Sequence, residues 1–197
     1  MKILGRLFKK KQTKLKNISF VRYFMLKDKS IYDYAMKFGY TMQKPIDVFG
    51  VGDLTEHKLG IVKELQNRFD EGIKWHELID ISSRMLNITQ KKFAKRGIID
   101  ICQHLAYLKQ EIERINQVEQ ELLTYLPDAD DTAANIDRFS KYKHYSQIRQ
   151  LAVTFHKLPS EIEKEMRYDE ALVELAFQKD LTEFESEKIK AMNRKSK

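Results

Sequence analysis

Five histidines, one cysteine and 29 acidic residues are the groups of this 197-residue chain that could bind a metal or move a proton. A di-iron helical bundle needs Glu-x-x-His pairs, because that spacing turns both ligands to one interior. The residues three before His57, His76, His104, His144 and His156 are Leu54, Ile73, Ile101, Lys141 and Val153, so no such pair exists, and His-Glu-x-x-His is missing too. His76-Glu77, with Asp80 one turn on, is an isolated polar cluster beside Trp75 and suits a surface role. Phe49-Gly-Val-Gly-Asp53 lacks both the lysine of a phosphate-binding loop and the third glycine of a dinucleotide fingerprint. Cys102, next to Ile101, is expected to be a small core residue. A lone cysteine excludes a disulfide framework and Cys-rich zinc modules and suits a reducing compartment. The expectation is no catalytic set, no metal and no cofactor, and hence a protein that is not an enzyme.

The elements that would position any site are helical. Seven glycines and three prolines in 197 residues are few, and a third of the chain is charged, a composition of long helices and few tight turns. The run Ile18–Leu26 is a strand or a first core helix. Ser30 caps a short helix carrying Ile31, Tyr34, Ala35 and Phe38 up to Gly39, and 40–52 forms a loop around Pro45, Gly50 and Gly52. Asp53-Leu-Thr-Glu56 starts a helix with Leu54, Ile61, Leu65 and Phe69 on one face that stops at Gly72; a second helix, about 74–86, follows with Trp75, Leu78, Ile79 and Met85 inward. Thr89 opens the longest element, 90–126, ended by Pro127. Along it Ile98, Ile101, Leu105, Leu108, Ile112, Ile115 and Leu122 keep coiled-coil-like spacing, broken once by Glu119. Such a helix is the spine of a bundle or projects to meet a partner. Residues 127–134, acidic and small, form the linker candidate. Short helices follow: 136–143, 146–156, one from Ser160-Glu-Ile-Glu163, one with Ala171, Leu172, Leu175 and Ala176, and one opened by Thr182. No internal repeat or low-complexity tract is seen. The expected fold is all-α: a helical bundle with one long coiled-coil-like helix and a C-terminal module of short helices, divided as a tail at 1–17, a helical domain at 18–126, a linker at 127–134 and the module at 135–197.

The net charge of +7 is uneven. Residues 1–27 hold nine basic groups and no acid, and residues 188–197 hold five and no acid, leaving 22 basic against all 29 acidic groups between them, a body of net −7. Basic, acid-free ends suit contact with nucleic acid, an anionic membrane or an acidic protein surface. Lys2, Arg6, Lys9, Lys10, Lys11, Lys14 and Lys16 are the candidate contacts. Ile3, Leu4, Leu7 and Phe8 fall at helical spacing among them, so this end is an amphipathic surface helix or a disordered tail. No stretch is apolar enough for a secretory signal or a transmembrane span.

Ile148 to Ile162 gives a helix, a tight turn and a second helix within fifteen residues. As a DNA-binding helix-turn-helix it would place 160–170 in the major groove, yet that segment carries five acids against Lys164 and Arg167, and phosphates would repel it. The stretch Leu-Ala-Val-Thr-Phe-His-Lys-Leu-Pro-Ser-Glu-Ile from 151, followed by Met166-Arg-Tyr-Asp-Glu-Ala-Leu-Val-Glu-Leu-Ala-Phe177, resembles the C-terminal part of small tail-assembly proteins of tailed bacteriophages. The resemblance covers residues 146–180. It departs in having His156 where a glycine is common, and in the long helix ahead of it. It implies a non-enzymatic helical module that binds the tape-measure or other phage structural or tail proteins, in the host cytoplasm during assembly or in the virion. Partner contacts are then expected through the long seam, which also suits a homo-oligomer, and through Leu151, Phe155, Ile162 and Met166. The alternative is a nucleic-acid-associated head, neck or packaging component using the basic termini.

Overall fold

The structure, a computed structural model, describes residues 18–25, 45–124, 142 and 144–195. The fold is all-α. Among the described residues there are eight α-helices: α1 (Phe20–Phe24), α2 (Leu59–Glu71), α3 (Trp75–Met85), α4 (Gln90–Phe93), α5 (Ile98–Leu123), α6 (His144–Thr154), α7 (Pro159–Glu165) and α8 (Tyr168–Lys195), with a 3-10 turn at Leu54–Glu56. The expected helices at 31–38 and, apart from Tyr142, at 136–143, the linker at 127–134 and the residues of the basic N-terminal segment, Lys2 to Lys16, lie outside the described residues.

Local chemistry explains the helix starts. Ser19 Oγ accepts from the Arg22 N–H at the head of α1, and Thr89 Oγ1 accepts from the Lys92 N–H at the head of α4. The helices α3, α7 and α8 each open with a glutamate in the first turn that reaches back to the preceding N–H: Glu77 to Lys74 at 2.8 Å, Glu161 to Leu158 at 2.7 Å and Glu170 to Arg167 at 3.2 Å. The cap of α7 is therefore Leu158, with Pro159 in the first turn, rather than the Ser160 expected from the sequence.

The chain forms two compact units, one of residues 1–53 and 65–113, the other of 54–64 and 114–197. The helices α2 and α5 each contribute residues to both units. In the first unit Phe20, Leu78, Ile81, Phe93, Ile98, Ile101 and Leu108 form the core; in the second Leu54, Leu59, Val62, Ile115, Leu151, Ile162 and Tyr168 do so.

Each unit is built on the same backbone scheme, a repeat that the side chains do not advertise. In the first, α3 ends where Asn87 turns left-handed (φ 50°) and the Ile88 N–H bonds to the Ser83 carbonyl; in the second, α6 ends where His156 does so (φ 52°) and the Lys157 N–H bonds to the Ala152 carbonyl. Both are helix ends of the Schellman kind, followed at once by a short helix. The residue before the next, long helix then forms an antiparallel β-bridge: Gly97 with Ser19 in one unit, Arg167 with Lys58 in the other. The bonds correspond one for one. Phe20 N–H to Arg96 O and Ile98 N–H to Ile18 O match Leu59 N–H to Met166 O and Tyr168 N–H to His57 O, all at 2.9–3.1 Å.

Three expected elements change. The helix expected to start at Asp53 starts at Leu59, after the 3-10 turn at Leu54–Glu56. The stretch 90–126 is two helices, because the bridge at Gly97 restarts the backbone between α4 and α5. The two short helices expected at 171–176 and from Thr182 are one 28-residue helix, α8. Residues 160–197 contain no glycine or proline to break it, and Thr182 Oγ1 donates to the Gln178 carbonyl at 2.8 Å, bonding within the helix instead of capping a new one.

Candidate functional site

The seam expected to meet a partner is used internally. Ile98, Ile101, Leu108, Ile112 and Ile115 on α5 are all buried within the chain's own core, as are Leu151 and Ile162. Leu105 and Met166 are half-buried. Only Leu122 and Phe155 are exposed, at 43% and 42%. In the second turn of α5 the fully buried residue is His104, beside the half-buried Leu105. The reason is packing: Phe49, Phe93 and Ser82 close over His104, while the seam is buried again at Leu108, Ile112 and Ile115.

Glu119, which interrupts the seam in the sequence, anchors it in the structure. Its carboxylate forms an ion pair with Lys63 of α2 and accepts a hydrogen bond from the Tyr168 hydroxyl at 2.6 Å. Lys63 Nζ lies 5.4 Å from the centre of the Tyr168 ring. Burial pulls the Lys63 ammonium below its usual range, opposed by the charge and hydrogen bond of Glu119. Nearby, α2 passes so close to α7 that a Cβ on Gly60 would stand 2.8 Å from the Glu163 carbonyl oxygen. This close approach is what a glycine in the first turn of α2 permits.

Large apolar side chains reach the surface on α6–α8. Val153, Phe155 and Leu158 surround the α6–α7 turn, and Tyr142, Tyr145, Arg149 and Val153 line an open groove along α6. A second groove is formed by Phe155, Met166 and Val173 with Asp169, Glu170 and Glu174 at its rim. From there Val173, Phe177, Leu181 and Phe184, spaced 4-4-3 on one face of α8, are exposed, Val173 at 70% and Phe177 at 62%; Met192 continues the line. The buried residues of this helix, Tyr168, Ala171 and Leu175, lie on the opposite side. The spacing was present in the sequence, but dividing the helix at Thr182 hid it.

The chemistry-bearing residues have structural occupations. Asp47 fills the glycine loop with its own carboxylate, accepting from the N–H groups of Phe49, Gly50 and Gly52 at 2.8–3.3 Å, while Gly50 and Gly52 take positive φ. Burial raises its carboxyl, but these N–H groups prevail and hold it below the ordinary range. The donors that a phosphate would use are taken. His104 is enclosed by Phe49 and Phe93, its Nε2 lies 2.9 Å from Ser82 Oγ and its Nδ1 has no hydrogen-bond partner. Burial pushes the imidazole down to about 4, with Asp47 opposing. Cys102 is half-buried, and burial pushes its thiol up to about 11. Glu77 pairs with Arg68 as well as capping α3, and Asp80 accepts from Arg84 and Gln90. Among the described residues no three His, Cys, Asp or Glu side chains cluster to hold a metal, and no helix is long and apolar enough to cross a membrane.

Comparison of the chain with protein-family models, with curated proteins and with solved structures returned no match.

Proposed function

We propose that the chain is a non-enzymatic assembly or structural protein of a tailed-bacteriophage virion, of the tail-assembly chaperone kind, acting through protein–protein contacts. The observation that carries this is the fate of residues 151–177, the segment that resembles phage tail-assembly proteins. It folds as a helix, a left-handed turn, a second helix and the start of α8, and it turns Val153, Phe155, Leu158, Val173 and Phe177 outward. Contiguous exposed apolar side chains with an acidic rim suit a protein partner. The departure at His156 is accommodated, since histidine takes the left-handed conformation that glycine favours there. The test is co-purification of the full chain with the tape-measure and tail proteins of its phage. Stable capture is expected, reduced at least ~10-fold by Phe155→Ser with Val173→Ser. A chain with no affinity for tail or head proteins overturns the reading.

A different observation favours a second reading. The acid-free basic stretches 1–27 and 188–197 suit non-specific contact with phosphates in a head, neck or packaging component. Removal of residues 1–16 is then expected to abolish DNA retention and its salt dependence, and unchanged retention overturns it.

A further inference from the structure

We infer that α8 is a self-association surface, on which the exposed stripe pairs antiparallel with the same stripe of a second copy. Three observations point to this occupant. First, Val173, Phe177, Leu181, Phe184 and Met192 are exposed on a helix whose buried residues are on the other side, so the stripe is not consumed by the chain's own core. Second, the middle and the ends of the stripe match under a two-fold. About a point between Thr182 and Glu183, Leu181 falls opposite Phe184 and Val173 opposite Met192, as a two-fold pair demands, while Phe177 falls opposite Lys188, a side chain whose methylene stem covers apolar surface while its ammonium stays in water. Third, the charge along the helix is polar end to end. Residues 168–187 hold seven acids and one base, whereas residues 188–195 hold four bases and no acid. A parallel pair would set acid against acid, but an antiparallel pair lays each basic end along the partner's acidic stretch and places Lys188 beside the partner's Glu174 and Asp180. Flanking charges fix orientation in paired helices in this way. The inference goes beyond the assembly reading and does not depend on a phage partner.

The experiment is sedimentation velocity of the full chain over a range of concentration and salt. A dimer that weakens with salt is expected, and a monomer at every concentration overturns the inference. Phe184→Glu is expected to raise the dimer dissociation constant at least ~30-fold, about 2 kcal/mol, with the circular-dichroism spectrum unchanged. An unchanged constant overturns it. Should that variant misfold, Lys188→Glu decides, since it alters only surface charge: weakened pairing is expected, and undiminished, salt-insensitive pairing overturns it. Orientation is read by oxidising an equal mixture of Val173→Cys and Met192→Cys chains, each with Cys102→Ser. The mixed product is expected; Val173→Cys chains cross-linked to one another in preference overturn the antiparallel arrangement. A strict monomer that still captures tail proteins would sink this inference alone, and a dimer that captures none would sink the assembly reading alone.

Discussion

The two long helices, α5 with 26 residues and α8 with 28, put the same kind of residue to opposite use. Along α5 the apolar side chains of the seam from Ile98 to Ile115 are buried, apart from the half-buried Leu105, and the carboxylate on that face, Glu119, is matched by Lys63 and Tyr168. Beyond its first two turns, α8 carries phenylalanines and a leucine to the surface among carboxylates that surround them. Both helices carry large apolar residues at helical spacing in the sequence. What separates them is whether other elements are folded over them, so a hydrophobic seam is evidence of burial somewhere but not of a partner.

This contrast can be broken by substitution. The largest effect is expected at Glu119→Leu, which leaves the Lys63 charge buried and uncompensated: a loss of about 3–5 kcal/mol in denaturant unfolding, recovered in large part by adding Lys63→Met. Next comes Leu108→Ala on the enclosed face of α5, expected to cost about 2–5 kcal/mol by the same measurement. Acidification sharpens the contrast from another side. His104 titrates lower in the folded chain, at about 4, than in the unfolded chain, near 6.5, so the unfolded chain binds more protons between these values. The stability that neutral His104 contributes is complete above about pH 6.5 and is lost as the pH falls toward 4, by up to roughly 3 kcal/mol. His104→Phe is expected to flatten that part of a stability–pH curve. Gly60→Ala should cost about 1–3 kcal/mol, because the added methyl meets the Glu163 backbone. The smallest effect is expected on α8: Phe184→Ser, measured at a concentration low enough to suppress pairing, should stay within about 0.5 kcal/mol. A large loss there would mean that the stripe is buried within the chain.

Much of the fold was legible because glycine, proline and capping residues mark where helices stop and start. Gly72 ended α2 as expected, with φ 84°, and the α3 and α6–α7 elements fell within two residues of their expected ends. The break at Gly97 was missed because its cause is a hydrogen-bonded bridge to Ser19, 78 positions away, and no local signal reports a partner that distant. Glu119 looked like a defect for the same reason, since Lys63 and Tyr168 reach it from elements remote in sequence. Thr182 misled in the other direction: a threonine followed by Glu185 has the pattern of a cap, but the backbone stays helical where nothing breaks it. The repeated scheme was hidden because backbone hydrogen bonds and left-handed turns are indifferent to most side chains. Asn87 and His156 serve the same turn without resembling each other.

The two β-bridges carry a consequence for taking the protein apart. In chain order their residues alternate, Ser19, Lys58, Gly97, Arg167, so the closures interleave like links of a chain. No single cut leaves both units complete. Cleavage after 113 retains all of the first unit but strips the second of its tether at 57–59, and removing the first 64 residues costs both units a bridge. Expression fragments, protease nicks and circular permutants of this protein therefore cannot be designed as if it were beads on a string.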